Sequence, residues 1–283
     1  MWQEHHFGLT WTEDEPSLEG IDFYILLDGA ALSALRLIYQ HDDAPEIELL
    51  YRDTRHDAAL EVSPVLYRLN ESSRMWDVQE QWQPAALIIE SREGMDALAN
   101  HLRSLLSVKM PSGEFAYCRF YDPSLTERFC NNLTQDELDA WLGPISSLWV
   151  YSRGKWLRLA APNPLSARLA EEEGWFSIHS EHLMQWQAQE RQLFIQRMVM
   201  HFSGSGFHFG SNAELEKVIQ QRTEQAGQFG ISSEQHLLIF VELALQFSDS
   251  FDSPDILKQL TNTEESVEHR LAKVEARLLG LDG

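Results

Sequence analysis

The stretch Arg119-Phe-Tyr-Asp-Pro-Ser-Leu125 (RFYDPSL), preceded by Glu114-Phe-Ala-Tyr-Cys118, sets the reading of the first half of the chain. Phe115 to Tyr121 is aromatic-rich and apolar at alternate positions, the period of a strand with one buried face. Asp122-Pro123 then opens a helix. Asp at the N-cap accepts a bond from an orphan N–H, and Pro at the first helical position has no N–H to leave unpaired. The competing reading is catalytic, because sites in open α/β sheets sit where strands end and helices begin. Asp28-Gly29 repeats the situation at the end of the strand Ile21–Leu27. Asp28 and Asp122 together would make a carboxylate pair for acid–base hydrolysis. Capping explains each without a second assumption, and it is the preferred reading.

Outward from this stretch, strand and helix signals alternate. Glu46–Tyr51 and Ala85–Glu90 read as strands, and Ala30–Gln40 as a helix. Gly94–Ser107 is an amphipathic helix with Met95, Leu98, Leu102 and Leu105 on one stripe. Ser63-Pro64 reads as the start of a short helix over VLYRL. Val108–Met110 and Phe115–Tyr121 flank a Pro-Ser-Gly turn and read as a hairpin. Thr134-x-x-Glu137 is a capping box, and Ser147–Ser152 a further strand. The expected fold is an α/β domain, a mixed sheet with flanking helices, over residues 1–160.

Ala160-Ala-Pro-Asn-Pro164 reads as a linker, since two prolines interrupt both helix and sheet. An all-α domain is expected over 166–283. Ser211-x-x-Glu214 and Ser232-x-x-Gln235 have the form of capping boxes, and Ser253-Pro254 opens another helix. Val267, Leu271, Val274 and Leu278 recur at four-three-four spacing, an a/d seam of two heptads. Two readings stay open for it: packing back on its own domain, or binding a partner protein.

The chain has 44 acidic and 22 basic residues, a net charge of −22 spread through both halves. Such a field repels phosphate backbones and anionic lipid, which argues against nucleic acid and membrane surfaces as partners. It suits a basic protein partner, or solubility alone. No apolar run approaches the ~20 residues of a membrane helix. The start carries an acidic flank and no apolar core of a signal peptide. Cys118 and Cys130 have no metal-type spacing; one disulfide between them is the alternative, and free thiols are the simpler reading.

The eleven histidines form no ligand pattern. His5-His6 point apart on any regular element, and His179-x-x-His182 lacks the spacing and glutamate of a zinc hydrolase. Ser203-Gly-Ser-Gly206 is a turn flanked by phenylalanines, with neither the phosphate-loop lysine nor a nucleophile elbow. No catalytic, cofactor or metal site is therefore expected.

Four segments in this order resemble a known family: YILLDGA (24–30), PEIELLYRDTRHDAALEVSPVLYRL (45–69), ALIIESREGMDALANHLRSLLSVKMPSGEFAYCRFYDPSL (86–125) and LTQDELDAWLGPI (133–145). They look like the domain of unknown function of the adaptor, or chaperone, proteins of bacterial type VI secretion systems. The resemblance covers about residues 22–150. It implies a non-enzymatic cytoplasmic protein that binds a toxic effector and helps load it onto the spike protein VgrG. Tyr121, Asp122 and Pro123, with Asp28 and Gly29, match as fold-defining positions. The alternatives are an immunity-type protein that binds a toxin, and a hydrolase using Asp28 and Asp122.

Overall fold

A computed structural model describes residues 11–16, 23–70, 73–204 and 211–281. His5, His6, Ile21 and the glycine-rich turn beyond Gly204 lie outside the described residues. The chain divides into two compact units, Met1–Trp186 and Gln187–Gly283, each described by itself.

The first unit contains strands β1 (Thr12–Glu13), β2 (Phe23–Leu27), β3 (Ile47–Leu49), β4 (Val65–Arg68), β5 (Ala86–Ser91), β6 (Ser107–Lys109), β7 (Phe115–Tyr117), β8 (Ile145–Ser152) and β9 (Lys155–Ala160). Among them lie helices α1 (Ala34–His41), α2 (Gln79–Trp82), α3 (Met95–Ser104), α4 (Pro123–Cys130) and α5 (Gln135–Leu142). Seven strands form one sheet in the order β1-β9-β8-β5-β2-β4-β3, and β6 and β7 pair in a separate hairpin. The strand pairings are antiparallel rather than mixed.

The middle strands explain the apolar runs in the sequence. β2 (FYILL) and most of β5 (ALII) are buried on both faces, so neither alternates with polar residues. Tyr24, Leu26, Leu66, Leu87 and Ile89 face a core completed by Leu98 and Leu102 of α3, Phe129 of α4, and Leu138 and Trp141 of α5. Phe23, Ile25, Leu27, Tyr67, Ile88 and Trp149 face a second layer with Ile38 of α1, Met75 and Trp82. Each fully buried large side chain here contributes about 1.5–3 kcal/mol relative to exposure.

The expected helix over VLYRL is a strand instead. Leu66 enters one core while Val65 and Tyr67 enter the other, which is the period of two that a helix cannot supply. The Ser63 hydroxyl does not cap a helix. It accepts a bond from the Tyr51 N–H at 3.0 Å and donates to the Pro64 carbonyl at 2.9 Å. The strand β9 and the short β1 beside it carried no signal strong enough to be read. The hairpin is present, but its second strand ends at Tyr117, and Arg119–Asp122 form the turn into α4.

Ala160–Pro164 run on along the first unit, where the Ala161 N–H bonds the Ser146 carbonyl at 2.8 Å. Phe176 and Ile178 join the same core. Helix α6 (Ser180–Ser203) carries the division between the two units, between Trp186 and Gln187.

The second unit is helical: the remainder of α6, then α7 (Asn212–Gln228), α8 (Glu234–Gln246), α9 (Pro254–Leu260) and α10 (Val267–Leu278). Ser211 caps α7, accepting from the Glu214 N–H. The cap of α8 is Ser233, one residue later than the expected box, accepting from the His236 N–H. Leu271 and Val274 of the seam are buried, and Val267 and Leu278 are half-buried against the same cluster as Phe240 and Ile256. The seam thus packs on its own unit. Arg270, also buried, donates to the carbonyls of Phe229 at 2.9 Å and of Leu260, at the ends of α7 and α9.

Candidate functional site

Asp28, Gly29, Tyr121, Asp122 and Pro123 lie where β2, the 51–63 loop, the hairpin and α4 come together. Asp28 follows β2 and is 2% exposed. Its Oδ1 accepts from the N–H groups of Ala30 at 2.9 Å and Ala31 at 3.3 Å, so it closes a turn rather than capping α1 directly. Its Oδ2 pairs with the Arg119 guanidinium. Gly29 is required by a close approach: a Cβ there would lie 2.1 Å from the Ser63 carbonyl oxygen. Both halves of Asp28-Gly29 therefore serve the passage of this turn beneath Val62-Ser63.

Arg119 joins that turn to the quoted stretch. Its guanidinium lies 5.8 Å from the Tyr121 ring centroid. The bond to Asp28 is the largest cause that raises the Arg119 pKa above its ordinary value, outweighing the opposing effect of burial. Tyr121 is itself buried, and its hydroxyl lies 2.6 Å from that of Tyr117 and 3.1 Å from that of Tyr51. The Tyr51 and Tyr117 hydroxyls also bond each other, closing a triangle. Burial, with the shared hydrogen bonds, pushes the Tyr117 hydroxyl far above its usual range, and burial does the same to Tyr121. These hydroxyls remain neutral donors and acceptors.

Asp122 sits at the N-cap of α4 with extended backbone. Its Oδ1 accepts from the Ser124 N–H at 3.0 Å, the Ser124 hydroxyl at 2.9 Å and the Leu125 N–H at 3.3 Å. Pro123 occupies the first helical position. Asp28 thus serves its own turn and Arg119, and Asp122 serves its own cap.

A second polar knot adjoins the tyrosines. The Glu173 Oε1 accepts from the Ser107 hydroxyl at 2.6 Å and from Arg55 at 2.9 Å, and lies 3.2 Å from His56 Nε2. Burial raises the Glu173 carboxyl, but these bonds outweigh it and hold it below its ordinary range. The His56 ring packs edge-on to Tyr117 at 5.1 Å. Sequence reading missed Arg119, Tyr51, Tyr117 and this knot. Arg119 was legible as part of the quoted stretch. Glu173 lies 117 residues from His56, and no local pattern signals such a pair.

Among the described residues, no group of three or more His, Cys, Asp or Glu side chains is placed to hold a metal ion. His179 and His182 both lie near Glu137, the box residue of α5. Glu137 Oε2 accepts from the Thr134 N–H at 2.9 Å and sits 3.3 Å from His182 Nε2, so this grouping serves the cap. Cys118 and Cys130 are free and buried, and burial pushes the Cys118 thiol up to about 12. No described helix is long and apolar enough to cross a membrane.

This arrangement is a set of internally satisfied ties between elements. Comparison with known proteins agrees with the motif reading. Residues 23–140 match the family model described as a domain of unknown function, DUF4123. The chain is 25% identical over 232 residues to the accessory protein VasW of Vibrio cholerae serotype O1, covering 77% of this chain and 72% of that protein. That coverage exceeds the length of the first compact unit, so the likeness extends into the second. No solved structure matches the chain. The segment that carries the RFYDP signature is thus the one that is similar to the DUF4123 domain, and the chain as a whole is similar to an accessory protein.

Proposed function

We propose that this protein is a non-enzymatic adaptor that holds a type VI effector in the bacterial cytoplasm and helps place it on the VgrG spike. The observation that carries the reading is the family match over 23–140 together with a relative whose name is that of an accessory protein. The geometry supports it. Of the two strand-end aspartates that the motifs offered for chemistry, Asp28 is taken up by its own turn and by Arg119, and Asp122 caps α4 through its Oδ1. The net charge of −22 favours a basic cargo surface, and complex formation should weaken as salt screens that attraction.

A secretion assay tests the proposal. Deleting the gene should abolish release of one effector while its intracellular amount is kept, and re-expression should restore release. Unchanged release of every effector in the deletion strain would refute the adaptor role.

A further inference from the structure

A cleft of about 410 Å³ opens in the first unit, away from the RFYDP signature. Its walls are the segment after β1, the α2 region and the β8–β9 turn. Trp76 and Trp156 stack across it, with ring centroids 6.3 Å apart and planes 19° from parallel. Four carboxylates surround these rings: Glu13, Asp14, Glu15 and Glu80. Glu13 is paired with Lys155, and Asp14 with Arg158 at 3.2 Å. Glu15 and Glu80 have no cationic partner among the described residues, so two negative charges at the cleft are uncompensated.

A second observation points to a ligand. Gln83 lines the cleft and is 9% exposed, yet its carboxamide makes no hydrogen bond among the described residues. Its amide reaches the open cleft rather than lying sealed in the core, so it is available to a group that enters. A donor arriving in the cleft would meet its oxygen. That donor must also suit stacked indole faces and two free carboxylates. A guanidinium meets all three demands: it is planar, carries five N–H donors and no acceptor, and stacks on aromatic rings. An anion is repelled, and an ammonium stacks less well.

We infer that this cleft binds the guanidinium of an arginine side chain on an exposed segment of a partner protein. Glu15 and Glu80 supply the charge, Gln83 accepts a hydrogen bond, and the Trp76–Trp156 pair supplies the aromatic surface. The adaptor reading bears only on where the partner comes from. The chemistry of the cleft stands on its own residues, so the two can fail separately.

The test titrates the full chain, carrying ¹⁵N-labelled tryptophan, with an acetyl-Gly-Arg-Gly-amide peptide and with its citrulline counterpart. The citrulline peptide keeps the shape and loses the charge. The arginine peptide should move the Trp76 and Trp156 indole signals, and citrulline should bind at least about tenfold more weakly. The double variant Glu15→Gln/Glu80→Gln, changed at exposed positions, should lose about tenfold in affinity with an unchanged unfolding midpoint. Gln83→Leu should also weaken binding. Equal binding of the two peptides, no shift of either indole at millimolar peptide, or full affinity in the folded double variant would each overturn the inference. None of those results would touch a secretion phenotype, and loss of that phenotype would leave peptide binding in place.

Discussion

At the scale of single residues, Asp122 was legible from its neighbours and Asp28 only in part. Asp-Pro after a strand signal specifies a cap through local geometry alone, and the side chain does accept from Ser124 and Leu125. Asp122→Ala should therefore cost on the order of 1 kcal/mol, and Asp122→Asn almost nothing, because Asn caps equally well. Urea unfolding of the three proteins checks this; a large loss with Asn would mean the charge, not the cap, is what matters. Asp28 also ends a strand, but its main partner is Arg119, 91 residues away. No period or spacing carries that information. The same holds for Gly29, whose need for a bare backbone comes from Ser63 passing overhead.

At the scale of elements, strands were read well where both faces are buried and poorly where context decides. YILL and ALII are long apolar runs in any setting. VLYRL was misread because Ser63-Pro64 imitates a helix start, whereas the two opposed cores fix Val65–Arg68 as β4. Two polar ties between elements lead to predictions. His101 on α3 is fully buried, with Nε2 2.9 Å from the Trp141 carbonyl at the end of α5 and Nδ1 accepting the Arg168 N–H at 3.3 Å. Burial lowers its pKa to about 4 despite the Trp141 bond. The unfolded chain, near 6.5, takes up a proton that the native state refuses. Stability from this cause is thus full above pH 6.5 and falls between 6.5 and about 4, by up to about 3 kcal/mol. Comparing unfolding free energies at pH 7 and pH 4.5 for wild type and His101→Gln should show a smaller drop in the variant. Identical slopes would remove His101 as the cause. In the second unit, Arg270 bonds carbonyls at the ends of two helices. Arg270→Met keeps the bulk but leaves those carbonyls unmet, and should lower stability by on the order of 3 kcal/mol. Both bonds leave the single Nη1, so Arg270→Lys, which keeps several donors on one nitrogen, should lose stability only through its shorter reach and recover part of the loss. Chemical denaturation of the full chain, with the second unit followed by its helix signal, distinguishes these outcomes.

At the scale of the molecule, the sequence announced an α/β unit followed by helices, and the structure has that order. What it left unread was the antiparallel character of the sheet and the tertiary ties that make RFYDP a junction. Those depend on which strands become neighbours, and pairing is set by the whole chain. The seam on α10 shows the same limit. Its spacing suited its own core or a partner, with the former preferred, and Leu271 and Val274 are buried in the core of the second unit. The likeness to an accessory protein was legible through ordered motifs rather than through any chemistry-bearing spacing. The central claim is tested most directly by capturing the tagged full-length protein at native expression level from its own bacterium and quantifying what co-purifies. The account predicts that one toxin-bearing effector and VgrG are recovered together and fall away as salt is raised. A well-folded protein that retains neither would contradict it.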